Sequence, residues 1–168
     1  MKRTKNLILA GALAALCCIS TLYISVPFPV AGGYFNLGDC FVIASGVILG
    51  PVFGFFSAAI GSMLADLFTG YAIYAPGTFL IKGIMALVIA LLYIKNQKVF
   101  SVILSAVVAE IIMVSGYFLY EIIITGSPAM AVLTITGNLM QGLAGVVSSV
   151  TLILLITKNK AIKKFLLD

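Results

Sequence analysis

Three long, predominantly apolar runs decide what this chain can fold into. They cover residues 7–26, 99–119 and 139–157, and each is long enough for a helix to cross a hydrocarbon layer about 30 Å thick. Charged residues make up only 9% of the chain, whereas a soluble domain averages roughly 25%. A membrane barrel would instead need alternating strands of about ten residues, and the sequence has no such alternation. The sequence therefore predicts an all-α integral membrane protein.

The number of spans depends on one Gly-Pro pair. The stretch from Cys40 to Ala65 is continuously apolar and could form a single helix. Gly50 and Pro51 favour a break, because proline lacks an N–H and disfavours helix in the residue before it. With the break, nine of the ten Lys and Arg residues lie on the cytoplasmic side, as the positive-inside rule requires. We therefore predict one domain, 1–168, a bundle with both termini cytoplasmic and spans near 6–26, 37–50, 51–69, 77–94, 99–124 and 131–157.

The chain has a net charge of +5, and the positions of its positive residues indicate its orientation in the membrane and not a polyanion partner. The positive charges precede the first span, lie in the 95–98 loop or follow the last span, which is typical of cytoplasmic anchoring. The chain has no His, and Cys17, Cys18 and Cys40 lack metal-ligand spacing. We predict no catalytic residue, no metal, no cofactor and no nucleic-acid partner.

Ionisable residues inside the spans are the strongest functional signal. Asp39, Asp66, Lys82 and Glu121 all fall in the outer half of the predicted bundle. A charge inside lipid costs about 2.5–3.5 kcal/mol on insertion scales, so such groups usually line a cavity or form pairs. The alternative is that they sit at helix ends and reach interfacial water. Their clustering in one leaflet predicts an outward-facing pocket.

Helical phase gives two polar stripes that could form a wall of this pocket. They consist of Glu110, Met113, Tyr117 and Glu121 on the fifth span, and of Thr134, Asn138, Gln141 and Gly145 on the sixth. The alternative is that the amides only hydrogen-bond neighbouring helices. Glu110 falls near mid-membrane, about 13 Å deeper than Lys82, and the sequence leaves its partner and its protonation open.

The first span has a different character, because small residues recur on it. Ala10 and Ala14 form one ridge, and Gly11 and Ala15 form another. Such spacing lets helices approach closely. The neighbour could be another span of this chain or another protein.

Taken in order, several motifs resemble one family. They are the ridge at Ala10 and Ala14, followed by GGYFNLGD, LGPVFGFF, ADLFTGY and APGTFLIKG. The chain resembles the substrate-binding subunits (S components) of energy-coupling-factor (ECF) vitamin transporters, in particular those for riboflavin, pyridoxine or the hydroxymethylpyrimidine precursor of thiamine. The absence of Trp argues against thiamine itself.

The resemblance implies a multi-pass protein of the bacterial cell membrane that captures a vitamin from outside. It would deliver the vitamin with a transmembrane coupling subunit and two ATPase subunits, and it would contact the coupling subunit through Ala10 and Ala14. Family ligands lie under the first external loop, among the last three spans. We therefore expect ligand contacts from Tyr34, Asn36, Asp39, Tyr74, Lys82, Tyr117, Glu121, Asn138 and Gln141.

The charges and aromatic residues of this set limit the ligand. One lysine among three outer carboxylates suits a neutral, weakly basic or zwitterionic molecule better than a phosphate. The tyrosines could stack on a flat ring, although interfacial belts are the common use of such tyrosines.

Two other classes of function compete with vitamin capture. A self-sufficient secondary transporter could use Glu110 as a proton site, but six spans without an inverted repeat weaken that reading. An intramembrane enzyme would need a nucleophile–base pair or a metal cluster, and the sequence offers neither.

Overall fold

The computed structural model describes residues 2–27, 34–95 and 99–167, and nearly all of them are helical. The elements are α1 (Lys2–Tyr23), β1 (Ser25–Pro27), β2 (Tyr34–Asn36), α2 (Gly38–Phe68), α3 (Ala75–Lys95), α4 (Val99–Thr125), α5 (Pro128–Lys158) and α6 (Lys160–Leu167). Five of these described helices, α1 to α5, are long and apolar enough to cross a membrane.

The helix α2 folds back on itself at Gly50, as the Gly-Pro pair predicted. Gly50 has φ 75° and ψ −171°, a conformation that favours glycine because it has no Cβ. Ser45 Oγ and Ser57 Oγ lie 3.4 Å apart, whereas a straight helix would separate these residues by about 18 Å. The arms 38–49 and 51–68 are therefore two antiparallel helices, and within the described residues α1, the two arms of α2, α3, α4 and α5 form a bundle of six apolar helices.

The segment between the first two predicted spans differs from the predicted loop, because part of it forms a short antiparallel strand pair. Val26 pairs with Phe35, and Ser25 pairs with Asn36, so α1 ends at Tyr23, before the predicted boundary. The tandem Gly32-Gly33 between β-forming residues is a hairpin signal that could have indicated this pair. The pairing fixes where Asn36 enters the bundle.

The helix α2 forms the centre of the bundle. It packs against α1, α3 and α5, while α4 bridges α3 and α5. The fully buried large side chains include Ile43, Met85 and Met113. Gly46 allows the close approach of α2 and α3, since a Cβ there would overlap the carbonyl oxygen of Ala86 and stand 3.2 Å from its Cα. In lipid the hydrophobic effect does not drive helices together, so association depends on close van der Waals packing, which small residues allow.

The two small-residue ridges of α1 have different neighbours. Ser57 Oγ donates a hydrogen bond to the Ala10 carbonyl, 2.9 Å away, and a Cβ on Gly61 would stand 3.0 Å from Ala14 Cα. The ridge at Ala10 and Ala14 thus packs against the second arm of α2. Gly11 and Ala15 are exposed.

The last element, α6, was not predicted as a separate helix. Asn159 has an extended backbone that interrupts the helix after α5. Its Oδ1 accepts hydrogen bonds from the backbone N–H groups of Ala161 (3.1 Å) and Ile162 (3.2 Å), a typical N-cap. The side chain of Lys5 in α1 lies 4.9 Å from the centroid of the Phe165 ring. The helix therefore turns across the bundle end where α1 begins.

Candidate ligand-binding site

An ion pair between two helices lies at the centre of the polar residues. Lys82 Nζ of α3 donates to Asp39 Oδ1 of α2. Lys82 is 5% exposed and Asp39 is 0% exposed. Asp39 occupies the first turn of α2, where the helix dipole favours a carboxylate. Both side chains are therefore internal, and neither reaches interfacial water.

A chain of amides connects this ion pair to the β1–β2 strand pair. Gln141 Nε2 of α5 donates to Asp39 Oδ2 at 2.6 Å. Asn36 Nδ2, at the end of β2, donates to Gln141 Oε1 at 3.1 Å, and Asn36 Oδ1 accepts from the Gly38 N–H at 2.8 Å. Together with the ion pair, these bonds join β2 and α2 to α3 and α5, which lie far away in the sequence. The bond to the Asp39 carboxylate is charge-assisted and therefore stronger than a neutral one, so it helps to fix the positions of α2 and α5.

The helix α4 contributes Tyr117 to the surroundings of Lys82. Lys82 Nζ lies 5.4 Å from the centroid of the Tyr117 ring, within cation–π range. The Tyr117 hydroxyl and Thr78 Oγ1 are 2.9 Å apart. Thr78 was not among the predicted residues, although its position four residues before Lys82 puts both on one face of α3.

A second polar group lies where the N-terminal end of α3 meets the C-terminal end of α4. Tyr74 donates its hydroxyl hydrogen to Glu121 Oε2 at 2.8 Å. Its ring lies 6.1 Å from the ring of Tyr71 and 6.2 Å from that of Tyr120, centroid to centroid. Burial, together with the Glu121 carboxylate, raises the pKa of the Tyr74 phenol, so the phenol stays a donor. These residues form a cap over the N-terminal end of α3 and the C-terminal end of α4.

The buried carboxylates Glu110 and Asp66 have unmatched oxygens. Among the described residues, Glu110 Oε1 and Oε2 and Asp66 Oδ2 lack a hydrogen-bond partner. Glu110 lies beside Asp39, because a Cβ on Gly145 would stand 3.0 Å from Glu110 Cδ and 3.1 Å from Asp39 Cβ. The sequence estimate put Glu110 about 13 Å deeper than Lys82, so it did not indicate that Glu110 lies beside Asp39, the partner of Lys82. Depth counted along one helix ignores helix tilt and side-chain length.

The structure brings together most of the predicted ligand residues. Asn36, Asp39, Lys82, Tyr117 and Gln141 meet around the ion pair, and Tyr74 and Glu121 meet in the cap. Asn138 is half-buried and takes no part in the bonds described above. Tyr34 belongs to β2, but its side chain lies outside the described part of the structure.

Comparison with known proteins accounts for this architecture. A family model described as "ECF-type riboflavin transporter, S component" matches residues 1–158. The chain belongs to this family. It is a multi-pass protein of the cell membrane and a substrate-binding subunit of ECF transporters, which work with ECF modules. This agrees with the family resemblance of the motifs.

Individual relatives extend this result to the fold. One relative is a protein of Pyrococcus woesei with the description "Uncharacterized protein in gap 3'region". It is 30% identical over 129 residues, which cover 77% of this chain and 86% of that protein. The S component of a bacterial ECF transporter has a TM-score of 0.70 and 25% identity, and the match covers 93% of this chain and 95% of that chain. The biotin S component of an ECF-type ABC transporter has a TM-score of 0.69 at 14% identity, covering 98% and 97%. The last similarity concerns the fold alone.

Proposed function

We propose that this S component captures riboflavin, or a related flat-ring vitamin such as pyridoxine or hydroxymethylpyrimidine, from outside the cell. The match of the family model over residues 1–158 carries the proposal. Delivery would then require a transmembrane coupling subunit and two ATPase subunits. Family membership favours this reading over a self-sufficient transporter that uses Glu110.

The geometry of the polar network supports ligand capture at the outer side. The bonds from Asn36 to Gln141 and from Gln141 to Asp39 tie the β1–β2 strand pair, which is external in the predicted topology, to the interior. A ligand that engages the strand pair would therefore also act on the buried ion pair. The paired charges of Lys82 and Asp39 cancel, which suits a neutral ring better than an anion.

Riboflavin binding is the direct test of this proposal. We expect the purified protein to bind riboflavin with saturation at one site, followed by the change in riboflavin fluorescence. Pyridoxine and hydroxymethylpyrimidine serve as competitors, and displacement by one of them at lower concentration would reassign the vitamin. Absence of binding by all three compounds would contradict the proposal.

We also propose that both termini face the cytoplasm, because the lysines and arginines outside the spans then obey the positive-inside rule. Cys17, Cys18 and Cys40 are buried, so they give little background in cysteine labelling. Ala129 and Lys160 lie near opposite ends of α5, and both are exposed. In intact cells we expect an impermeant maleimide to label Ala129→Cys and not Lys160→Cys. The reverse pattern would contradict this topology.

We infer that the coupling subunit docks on α1, as the family resemblance implies, but mainly through its free ridge. The Ala10 and Ala14 ridge already contacts α2. Gly11 has no side-chain or backbone neighbour within 4 Å of its Cβ position, and Ala15 is exposed. Ile8 and Ile19 flank this ridge with 68% and 52% of their surfaces exposed. A small-residue groove with apolar edges fits a close helix partner.

A further inference from the structure

The carboxyl group of Glu110 occupies a notch between α4 and α5. The notch exists because α5 carries glycine at positions 142 and 145. A Cβ on Gly142 would stand 3.3 Å from Glu110 Cβ, and one on Gly145 would stand 3.0 Å from Glu110 Cδ. The Asp39 side chain borders the same space, 3.1 Å from the Gly145 position. Three helices therefore surround this carboxyl group.

This carboxyl group has no partner of its own within the described ranges. Glu110 is 5% exposed, and both of its oxygens are unmatched. The two donors of the neighbouring network, Lys82 Nζ and Gln141 Nε2, both donate to Asp39. A buried polar group without a partner is costly, and native proteins rarely keep one without a reason.

We propose that Glu110 is the innermost ligand contact of the site and accepts a hydrogen bond from an N–H or O–H group of the ligand. This inference rests on the proposed function. The polar path from the β1–β2 strand pair, through Asn36 and Gln141 to Asp39, ends beside the Glu110 carboxyl group. The site then selects ligands that carry a donor at their buried end, such as a ring imide or a polyol hydroxyl. Riboflavin carries both groups.

The test compares Glu110→Leu with Ser105→Ala by riboflavin titration and by melting temperature without ligand. Leucine fills similar space and removes both acceptors. Ser105 is a buried polar residue on the same helix, and within the described ranges its hydroxyl donates to carbonyls of its own helix. We expect Glu110→Leu to weaken riboflavin binding roughly ten- to a hundredfold, the range for a hydrogen bond to a charged group. Its melting temperature should stay level or rise, because no bond within the protein is lost.

A second pair of variants moves the carboxyl group without removing it. Gly145→Ala would push Glu110 out of the notch, whereas Gly137→Ala on the same helix has nothing within 4 Å. We expect weaker binding for Gly145→Ala and wild-type binding for Gly137→Ala.

Three results would overturn the inference. If the wild-type protein binds riboflavin and Glu110→Leu binds it equally well, Glu110 is not a contact, and the proposed function stands. If Glu110→Leu loses binding and melts earlier without ligand, its role is structural. If the wild-type protein does not bind riboflavin, the proposed vitamin fails, and this inference fails with it.

Discussion

Replacing Lys82 with methionine should destabilise the protein more than any other single side-chain change in the site. Methionine keeps the aliphatic stem and removes the ammonium group, so that Asp39 stays buried and, among the described side chains, keeps Gln141 as its donor. Breaking one half of a buried ion pair costs about 3–5 kcal/mol. For a chain of this length we expect a fall in melting temperature on the order of 10 °C, measured in detergent without ligand. Riboflavin binding should fall with it, since the pair shapes the site.

A double variant separates the lost pair from other effects of the substitution. Asp39→Asn combined with Lys82→Met leaves no unpaired charge and keeps the acceptor for Gln141, so most of the melting temperature should return. Lys158→Met, at an exposed lysine, is the control for a change of net charge and should melt like the wild type. Lost binding at unchanged stability would instead make Lys82 a direct ligand contact. Unchanged values for both quantities would refute its place in the site.

Replacing Gly11 with leucine should abolish vitamin uptake and leave the isolated protein intact. Among the described residues, no atom outside its own helix lies within 4 Å of the Gly11 Cβ position, so we expect a leucine there to fill the groove beside Ala15 without displacing a neighbouring helix. Close approach of a partner helix would then be prevented. We expect uptake by cells that contain the whole transporter to fall at least tenfold. Riboflavin affinity and melting temperature of the purified subunit should match those of the wild type.

The matched control for this variant is Gly61→Leu, which blocks the other ridge. A Cβ at Gly61 would stand 3.0 Å from Ala14 Cα, and backbone atoms cannot move aside cheaply. This variant should lose thermal stability as a purified subunit, because α1 and α2 can no longer pack. If Gly11→Leu transports normally, the free ridge is not the docking surface. If Gly61→Leu is as stable as the wild type, Ala14 does not need the contact with α2.

The difference between the two ridges of α1 illustrates how far sequence reasoning extends here. The spacing of Ala10 and Ala14 correctly indicates a face on which a helix can approach closely. It does not say which helix occupies that face, because both ridges have the same small-residue chemistry and lie on adjacent sides of α1. Only the packed structure assigns one ridge to α2 and leaves the other exposed.

The same limit applies to the site. Polar residues recur every three or four positions along α4 and α5. This spacing placed Tyr117 and Glu121 on one polar face of α4 and Gln141 on one polar face of α5. Their partners lie on other elements at separations such as 102 residues between Gln141 and Asp39. Such pairings depend on helix rotation and tilt, and the sequence of one helix fixes neither. The notch that holds the Glu110 carboxyl group likewise exists only because Gly142 and Gly145 of α5 face α4.

By itself, the sequence determined the membrane class and the break at Gly50. These are local properties: a helix in lipid must satisfy its own backbone hydrogen bonds, and a Gly-Pro pair interrupts that pattern wherever it occurs. The tertiary structure decided that Lys82 pairs with Asp39, that Glu110 stands unmatched beside them and that Gly11 faces outward. Those results follow from contacts between helices, where a rotation of about 100° per residue changes which side chain meets which neighbour.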